Sequence, residues 1–336
     1  MQKILLSAYS CCPNKGSEPG VGWNVAYYMA QEDVEIHVIT TNEFKVNILQ
    51  ETKKENFPKN LHFHFFDIPF SKFVWKNPEG FFIRAHYTLW QHFAKKEVKR
   101  LHKIFKFTSA QHITFVRYWT GSCLVNSGIP YVFGPIGGAE YTPKKLVKGL
   151  GLKSSFFDKL RNIARFMGEH SFFTKKTIRN AKYILCTSKF TAKRCSLIRK
   201  SNKNISILSE VGFKSKEIEF LQSQMTQKED SLKICSLGRL VPIKRVDIII
   251  KAFHQANIEN SFLTIVGGGQ CENELQNLIN QLGLTSRVKI TGMIPRNEAL
   301  TIMSNSNIMA HAWVHESGGW ACLESMAAGL PVVCLD

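Results

Sequence analysis

At 336 residues the chain is long for a single hydrophobic core and of a size for two domains. It is 44% hydrophobic and 21% charged, which excludes a disordered chain, and no apolar run approaches the roughly 18 residues of a membrane-spanning helix. The net charge of +18 is uneven: residues 1–231 carry 36 Lys/Arg against 18 Asp/Glu, whereas residues 232–336 carry eight of each. The excess gathers at Lys95-Lys96-Glu97-Val98-Lys99-Arg100, Lys144-Lys145, Lys175-Lys176 and Arg199-Lys200. Such a surface suits anionic lipid headgroups or phosphorylated acceptors. No nucleic-acid recognition motif accompanies the charge, so no nucleic-acid partner is expected. The nine cysteines include an adjacent pair, Cys11-Cys12, but no Cys-x-x-Cys. That pattern speaks against a disulfide framework or a structural zinc site and fits a reducing cytoplasm.

In chain order, the N-terminus reads as a buried strand rather than a secretory signal, with residues 4–9 apolar and running into the glycine-rich loop 15–24. A helix is predicted over 23–31 and strands over 35–40 and 61–65. Residues 81–105 are aromatic and basic at helical spacing. Strands follow over 110–115 and 131–134, the first running to Val116 ahead of Arg117-Tyr118-Trp119, the second ahead of a flexible turn at 134–140. Residues 183–188 make another strand, with a basic helix after it. The run 217–230 turns polar, placing a linker at 216–231 after a first domain of 1–215. A second alternation fills 232–336: strands at 232–238, 262–266, 288–290, 308–311 and 331–334, and helices at 246–255, 272–282 and 298–304. The pattern predicts two α/β doubly wound, Rossmann-like domains. The chain stops just after its last strand, so the C-terminal domain is expected to be incomplete.

Two segments of the second half carry chemistry. In Ser236-Leu237-Gly238-Arg239-Leu240-Val241-Pro242-Ile243-Lys244, an arginine follows a strand and a lysine stands close to the next helix start. An arginine grips phosphate oxygens bidentately, and a lysine adds a compact second charge. In His315-Glu316-Ser317-Gly318-Gly319-Trp320-Ala321-Cys322-Leu323-Glu324, two glutamates with seven residues between them flank a turn that opens an Ala-rich helix. The helix start offers unpaired N–H groups to a phosphate, and carboxylates accept from sugar hydroxyls. As dinucleotide fingerprints both glycine loops fail, because Val25 and Glu272 stand where the last glycine belongs. Hydride transfer is therefore disfavoured. The six aspartates are all isolated, so no Asp-x-Asp metal clamp exists, and the histidines lack zincin spacing.

The Glu316-x(7)-Glu324 segment, with Arg239 and Lys244 upstream, resembles the signature of family-4 glycosyltransferases, retaining enzymes of the GT-B fold. The resemblance implies two Rossmann-like domains facing a cleft, a nucleotide-sugar donor on the second, and a glycan or lipid-linked acceptor along the basic first. It implies that Arg239, Lys244 and Glu316 are the catalytic set. Arg239 and Lys244 would hold the donor diphosphate, Glu316 the sugar hydroxyls and Glu324 the ribose. The backbone of Ser317, Gly318, Gly319 and Trp320 would approach sugar and phosphate, with Leu323 lining the donor site. Gly20 and Gly22 resemble the family's first-domain glycine loop on the acceptor side of the cleft, and His112 or Arg117 would touch acceptor or donor. No cofactor and no metal are expected, since cations of the protein replace the metal. The context implied is surface-polysaccharide or lipopolysaccharide synthesis in the cytoplasm, peripheral to an anionic inner membrane face. The alternative is a truncated, non-catalytic homologue that binds a nucleotide sugar or an anionic surface.

Overall fold

A computed structural model describes residues 1–15, 17–75, 81–115, 117–147, 151–210, 212, 215–224, 230–314 and 319–335, without the side chains of Ser17, Trp75, Phe81, Lys144, Leu152, Lys153, Ser215 and Lys216. The chain forms two compact units, residues 1–139 with 162–210, and residues 140–161 with 211–336.

The first unit begins β1 (Gln2–Ala8), α1 (Ser17–Met29), β2 (Val34–Thr40), α2 (Lys45–Glu51), β3 (Leu61–Phe65), α3 (Ser71–Trp75), α4 (Phe81–Phe105), β4 (Ser109–Ile113) and β5 (Tyr131–Ile136). Then come α5 (Lys144–Val147) and α6 (Gly151–His170), and the unit boundary falls inside α6. The first unit resumes through α7 (Phe172–Asn180), β6 (Tyr183–Cys186), α8 (Lys189–Arg199) and β7 (Ile205–Ile207). Its sheet runs β3-β2-β1-β4-β5-β6-β7, every pair parallel. Because successive strand residues face opposite sides, Leu5 joins one core with Tyr87, Trp90 and Phe133, and Leu6 joins another with Trp23, Ile36 and Val38. On α4 the residues Ile83, Tyr87, Trp90, Ala94, Val98 and Leu101 are buried at three- and four-residue intervals, one apolar stripe against the sheet.

The second unit continues with α9 (Ser215–Ser223), β8 (Leu232–Leu237), α10 (Val246–Ala256), β9 (Ser261–Val266), α11 (Glu272–Gln281), β10 (Val288–Ile290), α12 (Arg296–Ser304), β11 (Ile308–His311), α13 (Trp320–Ala327) and β12 (Val332–Cys334). Its parallel sheet runs β10-β9-β8-β11-β12, with Ile250, Phe253 and Ile265 in a core on one face and Leu237, Met303 and Met309 in a core on the other.

Several boundaries differ from the sequence reading. The segment expected as a linker, 216–231, holds α9, because Leu221 is buried with Leu300 and Met303; residues 225–229 lie outside the described set. Residues 140–161 join the second unit although they fall within 1–215 in sequence. The strand expected to run to Val116 ends at Ile113, where Thr114 and Phe115 adopt left-handed backbone with φ of 66° and 53°; Val116 itself lies outside the described residues. Gly134 to Ile136 belong to β5 rather than to a turn. Gly20 and Gly22, expected in a loop, lie inside α1, which starts at Ser17.

Candidate active site

Each sheet has a switch point, where strand order reverses and crevices open at the carboxyl ends of the strands. In the second unit it lies between β8 and β11. Past Leu237 the chain turns at Gly238, whose φ of +149° an L side chain rarely adopts. Its N–H donates to the Val266 carbonyl at 2.9 Å, and the Leu240 N–H donates to the Gly268 carbonyl at 2.9 Å. The triple glycine that failed as a fingerprint is explained by this approach: a Cβ on Gly267 would strike the Gly238 carbonyl. The turn leaves Arg239 exposed and carries Lys244 to the end of a short 3-10 turn, Pro242–Lys244. The Lys244 ammonium lies over the ring of Trp313, two residues past β11, and the Val314 N–H donates to the Ile243 carbonyl at 3.1 Å. The loops on both sides of the switch point are thereby tied together. Arg245, the third cation here, is committed to structure: it is buried, grips Asp247 at 2.8 and 2.9 Å, and donates to the Leu146 carbonyl at 3.1 Å.

Helix α13 follows on the β11 side of the same switch point. Gly319 caps it in left-handed conformation with φ of 62°, and Trp320 is its first residue. Trp320 and Leu323 are half-buried. Glu324 is buried, with the Arg296 guanidinium 2.5 Å from its Oε1. Burial raises its carboxyl above the ordinary range; Arg296 opposes that shift and Glu217 adds to it. Glu316, Ser317 and Gly318 lie outside the described residues.

In the first unit the switch point lies between β1 and β4. The Ser10 N–H donates to Thr114 Oγ1 at 3.3 Å, joining the two strand ends. A Cβ on Gly22 would strike the Ser10 carbonyl and reach Thr114 Cγ2 at 3.0 Å, so this glycine lets α1 close onto both. Glu18, in the first turn of α1, accepts from the Phe115 N–H at 2.7 Å. Burial pushes its carboxyl up to about 7, with Glu210 adding, while the Phe115 N–H and Arg117 oppose. Arg117 lies 5.8 Å from the Trp119 ring and forms an isolated parallel bridge with Gly137. His112 is wholly buried instead: its ring nitrogens engage the Tyr87 hydroxyl and Ser122 Oγ, each at 3.0 Å, and burial drives its pKa down to about 3. It is a core histidine whose two ring nitrogens are both engaged by buried hydroxyls.

Residues 217–336 match the family described as "Glycosyl transferases group 1". LpsD of Rhizobium meliloti, named a lipopolysaccharide core biosynthesis glycosyltransferase, is 31% identical over 104 residues, 31% of this chain and 29% of that protein. The chain spans less than half the length of the curated relatives it matches first. Among solved structures, Anabaena HepE in complex with UDP-glucose has a TM-score of 0.54 at 15% identity, covering 99% of this chain and 80% of that one. A glycosyltransferase of Rickettsia africae has a TM-score of 0.62 at 13% identity, covering 99% and 79%. The fold is GT-B.

Of the residues singled out in sequence, the second unit brings Arg239, Lys244, Gly319, Trp320, Leu323 and Glu324 to loops and a helix beside one switch point. Gly20, Gly22 and Arg117 gather at the other, and His112 withdraws into the core. Glu18 belongs to none of the sequence motifs. The available signal was an acid three residues into a glycine-rich segment after the first strand, where a helix N-terminus favours negative charge.

Proposed function

We propose that the protein is a retaining glycosyltransferase that moves a sugar from a nucleotide-sugar donor to a glycan or lipid-linked acceptor in surface-polysaccharide or lipopolysaccharide synthesis. The observation that carries this reading is the convergence of the Arg239–Lys244 loop and the α13 N-terminus on the β8/β11 switch point of the group 1 glycosyl transferase domain. The name of LpsD supports the lipopolysaccharide context, and the UDP-glucose held by HepE supports a nucleotide-sugar donor. In this reading Arg239 and Lys244 hold the donor diphosphate, Glu324 accepts from the ribose hydroxyls, and Glu316 accepts from the sugar. The acceptor hydroxyl oxygen bonds to the anomeric carbon as the bond to the diphosphate breaks, and its proton passes to a donor phosphate oxygen. Negative charge grows on the leaving diphosphate, and one fixed donor aimed at such charge contributes about 3–4 kcal/mol. Neither a protein nucleophile nor a metal is required by this scheme.

The same reading places the enzyme peripherally on an anionic membrane from the cytoplasmic side. No helix among the described residues is long and apolar enough to cross a membrane. Helix α6 exposes Phe156, Leu160, Ile163 and Met167 along one stripe, and α4 exposes Phe82, Leu89 and Phe93 beside Lys96, Lys99 and Arg100. Apolar stripes flanked by cations suit the headgroup region of an anionic bilayer.

Binding of UDP-, GDP- and ADP-sugars, followed by turnover with lipid-linked acceptors, tests the proposal. Saturable binding of one class and loss of turnover in Arg239→Ala support it. No binding across the panel overturns the donor assignment, and binding without turnover leaves the non-catalytic reading in its place.

A further inference from the structure

A cluster far from either set of loops in sequence has the chemistry of a metal site. On β2, Glu35 and His37 point to the same face, two residues apart; on β3, His62 is the register partner of His37. Glu35 Oε1 is the shared centre: His37 Nε2 lies 2.8 Å from it and His62 Nε2 3.8 Å. The three ligand atoms all fall within 4.8 Å of one another. Around a tetrahedral zinc, with bonds of about 2.0–2.2 Å, ligand atoms stand roughly 3.3–3.5 Å apart. The observed separations bracket that value, and His62, whose side chain is 43% exposed, is free to swing to close the longer one.

The surroundings are built for such a role. The second oxygen of Glu35 faces Lys3 Nζ at 3.3 Å, which fixes the carboxylate and leaves Oε1 turned to the histidines. His37 is buried, and its other nitrogen, Nδ1, lies 2.8 Å from His64 Nε2. A metal-bound imidazole commonly donates its remaining N–H to a neighbour that fixes its tautomer, and His64 stands where that neighbour is needed. The His37 ring is also packed against Phe105, with centroids 4.3 Å apart. A cavity of about 620 Å³ lined by Glu35, His37, His62 and His64, together with Thr52 and Phe57, leaves room for a water in the fourth position.

We propose that Glu35, His37 and His62 form a binding site for a divalent transition metal of the zinc class, with His64 as the residue that positions His37. The ligand set, two imidazoles and one carboxylate, suits zinc, and cobalt as its spectroscopic substitute. Because β3 is the edge strand of its sheet, the ion links that strand to β2 and serves the fold of the first unit. The donor-binding residues belong to the other unit, so the site is independent of the transfer reaction proposed above.

The experiment uses the full chain, stripped with a chelator, dialysed and titrated with zinc chloride by calorimetry and with cobalt chloride by visible absorption. One equivalent should bind, cobalt should give the visible bands of a low-coordinate nitrogen and oxygen site, and the unfolding midpoint should rise with zinc concentration. His62→Ala, at an exposed position, should weaken binding more than tenfold with an unchanged circular dichroism spectrum. His64→Phe should weaken it by about tenfold. Absence of saturable binding overturns the proposal. Binding that persists unchanged in both His62→Ala and Glu35→Gln places the metal elsewhere, at cysteines for example, and overturns it equally.

Discussion

The two switch points share a topology and differ in chemistry, and the difference runs against the overall charge. The first unit lies within the basic part of the chain, yet at its switch point the Glu18 carboxyl feels a second acid, Glu210, as well as a cation, Arg117. The second unit's sheet comes from a stretch with no net charge, yet the loop at its switch point gathers Arg239 and Lys244 on a glycine-lined turn. Net charge describes a surface, whereas the loops at the strand ends decide what a crevice attracts. The cationic point suits a diphosphate. The acidic one suits a hydroxyl that must be held and oriented, since a carboxyl accepts a hydrogen bond from it.

The contrast can be broken from either side. The largest effect is expected on the cationic side: Arg239→Ala should lower kcat by about 100- to 1,000-fold, with the fold retained because this side chain is exposed. A loss under tenfold in steady-state turnover would remove Arg239 from the diphosphate. On the acidic side, the Glu18 carboxyl rises in the fold from 4.5 to about 7. A raised carboxyl pKa contributes stability that is fully present below the unfolded value and is lost as pH climbs through the folded one. Denaturant unfolding should therefore show the protein losing on the order of 2–3 kcal/mol between pH 5 and pH 8. Glu18→Gln should flatten that profile; an unchanged slope would assign the loss to another group.

His112→Ala should lower stability by about 1–3 kcal/mol, since it strands the Tyr87 and Ser122 hydroxyls in the core. Turnover per folded molecule should stay close to that of the unmodified chain, and a large specific loss in kcat would return His112 to the reaction. The smallest effect concerns the surface. Replacing Lys96, Lys99 and Arg100 by Gln should weaken sedimentation with anionic vesicles several-fold in low salt and leave neutral vesicles unaffected. Equal binding to both kinds would assign attachment to the apolar stripes alone.

Much of this was legible in the chain itself. The periodicity of residues 81–105 matches α4 residue for residue, and the strand at 61–65 matches β3, because an amphipathic stripe and an alternating run are local signals. The alternation of strands and helices pointed to two doubly wound domains, and the residues proposed for a donor site stand out by their spacing and family likeness. Local sequence did not reveal where the backbone departs from the expected path. Thr114 and Phe115 turn left-handed in a β-branched and aromatic run that reads as strand, and ties to Ser10 and Glu18 hold that turn.

The linear sequence determined the two-domain alternation, the charge asymmetry and the identity of the cations and acids at the strand ends, since these depend on residue type and near neighbours. Tertiary structure decided which of them meet. It buried His112 in the core, drew Arg245 onto the Leu146 carbonyl, set Lys244 over Trp313, and brought His62 to Glu35 and His37 across β2 and β3. Parallel pairing joins residues with no short-range spacing to reveal them, and burial sets their ionisation only once those neighbours are in place.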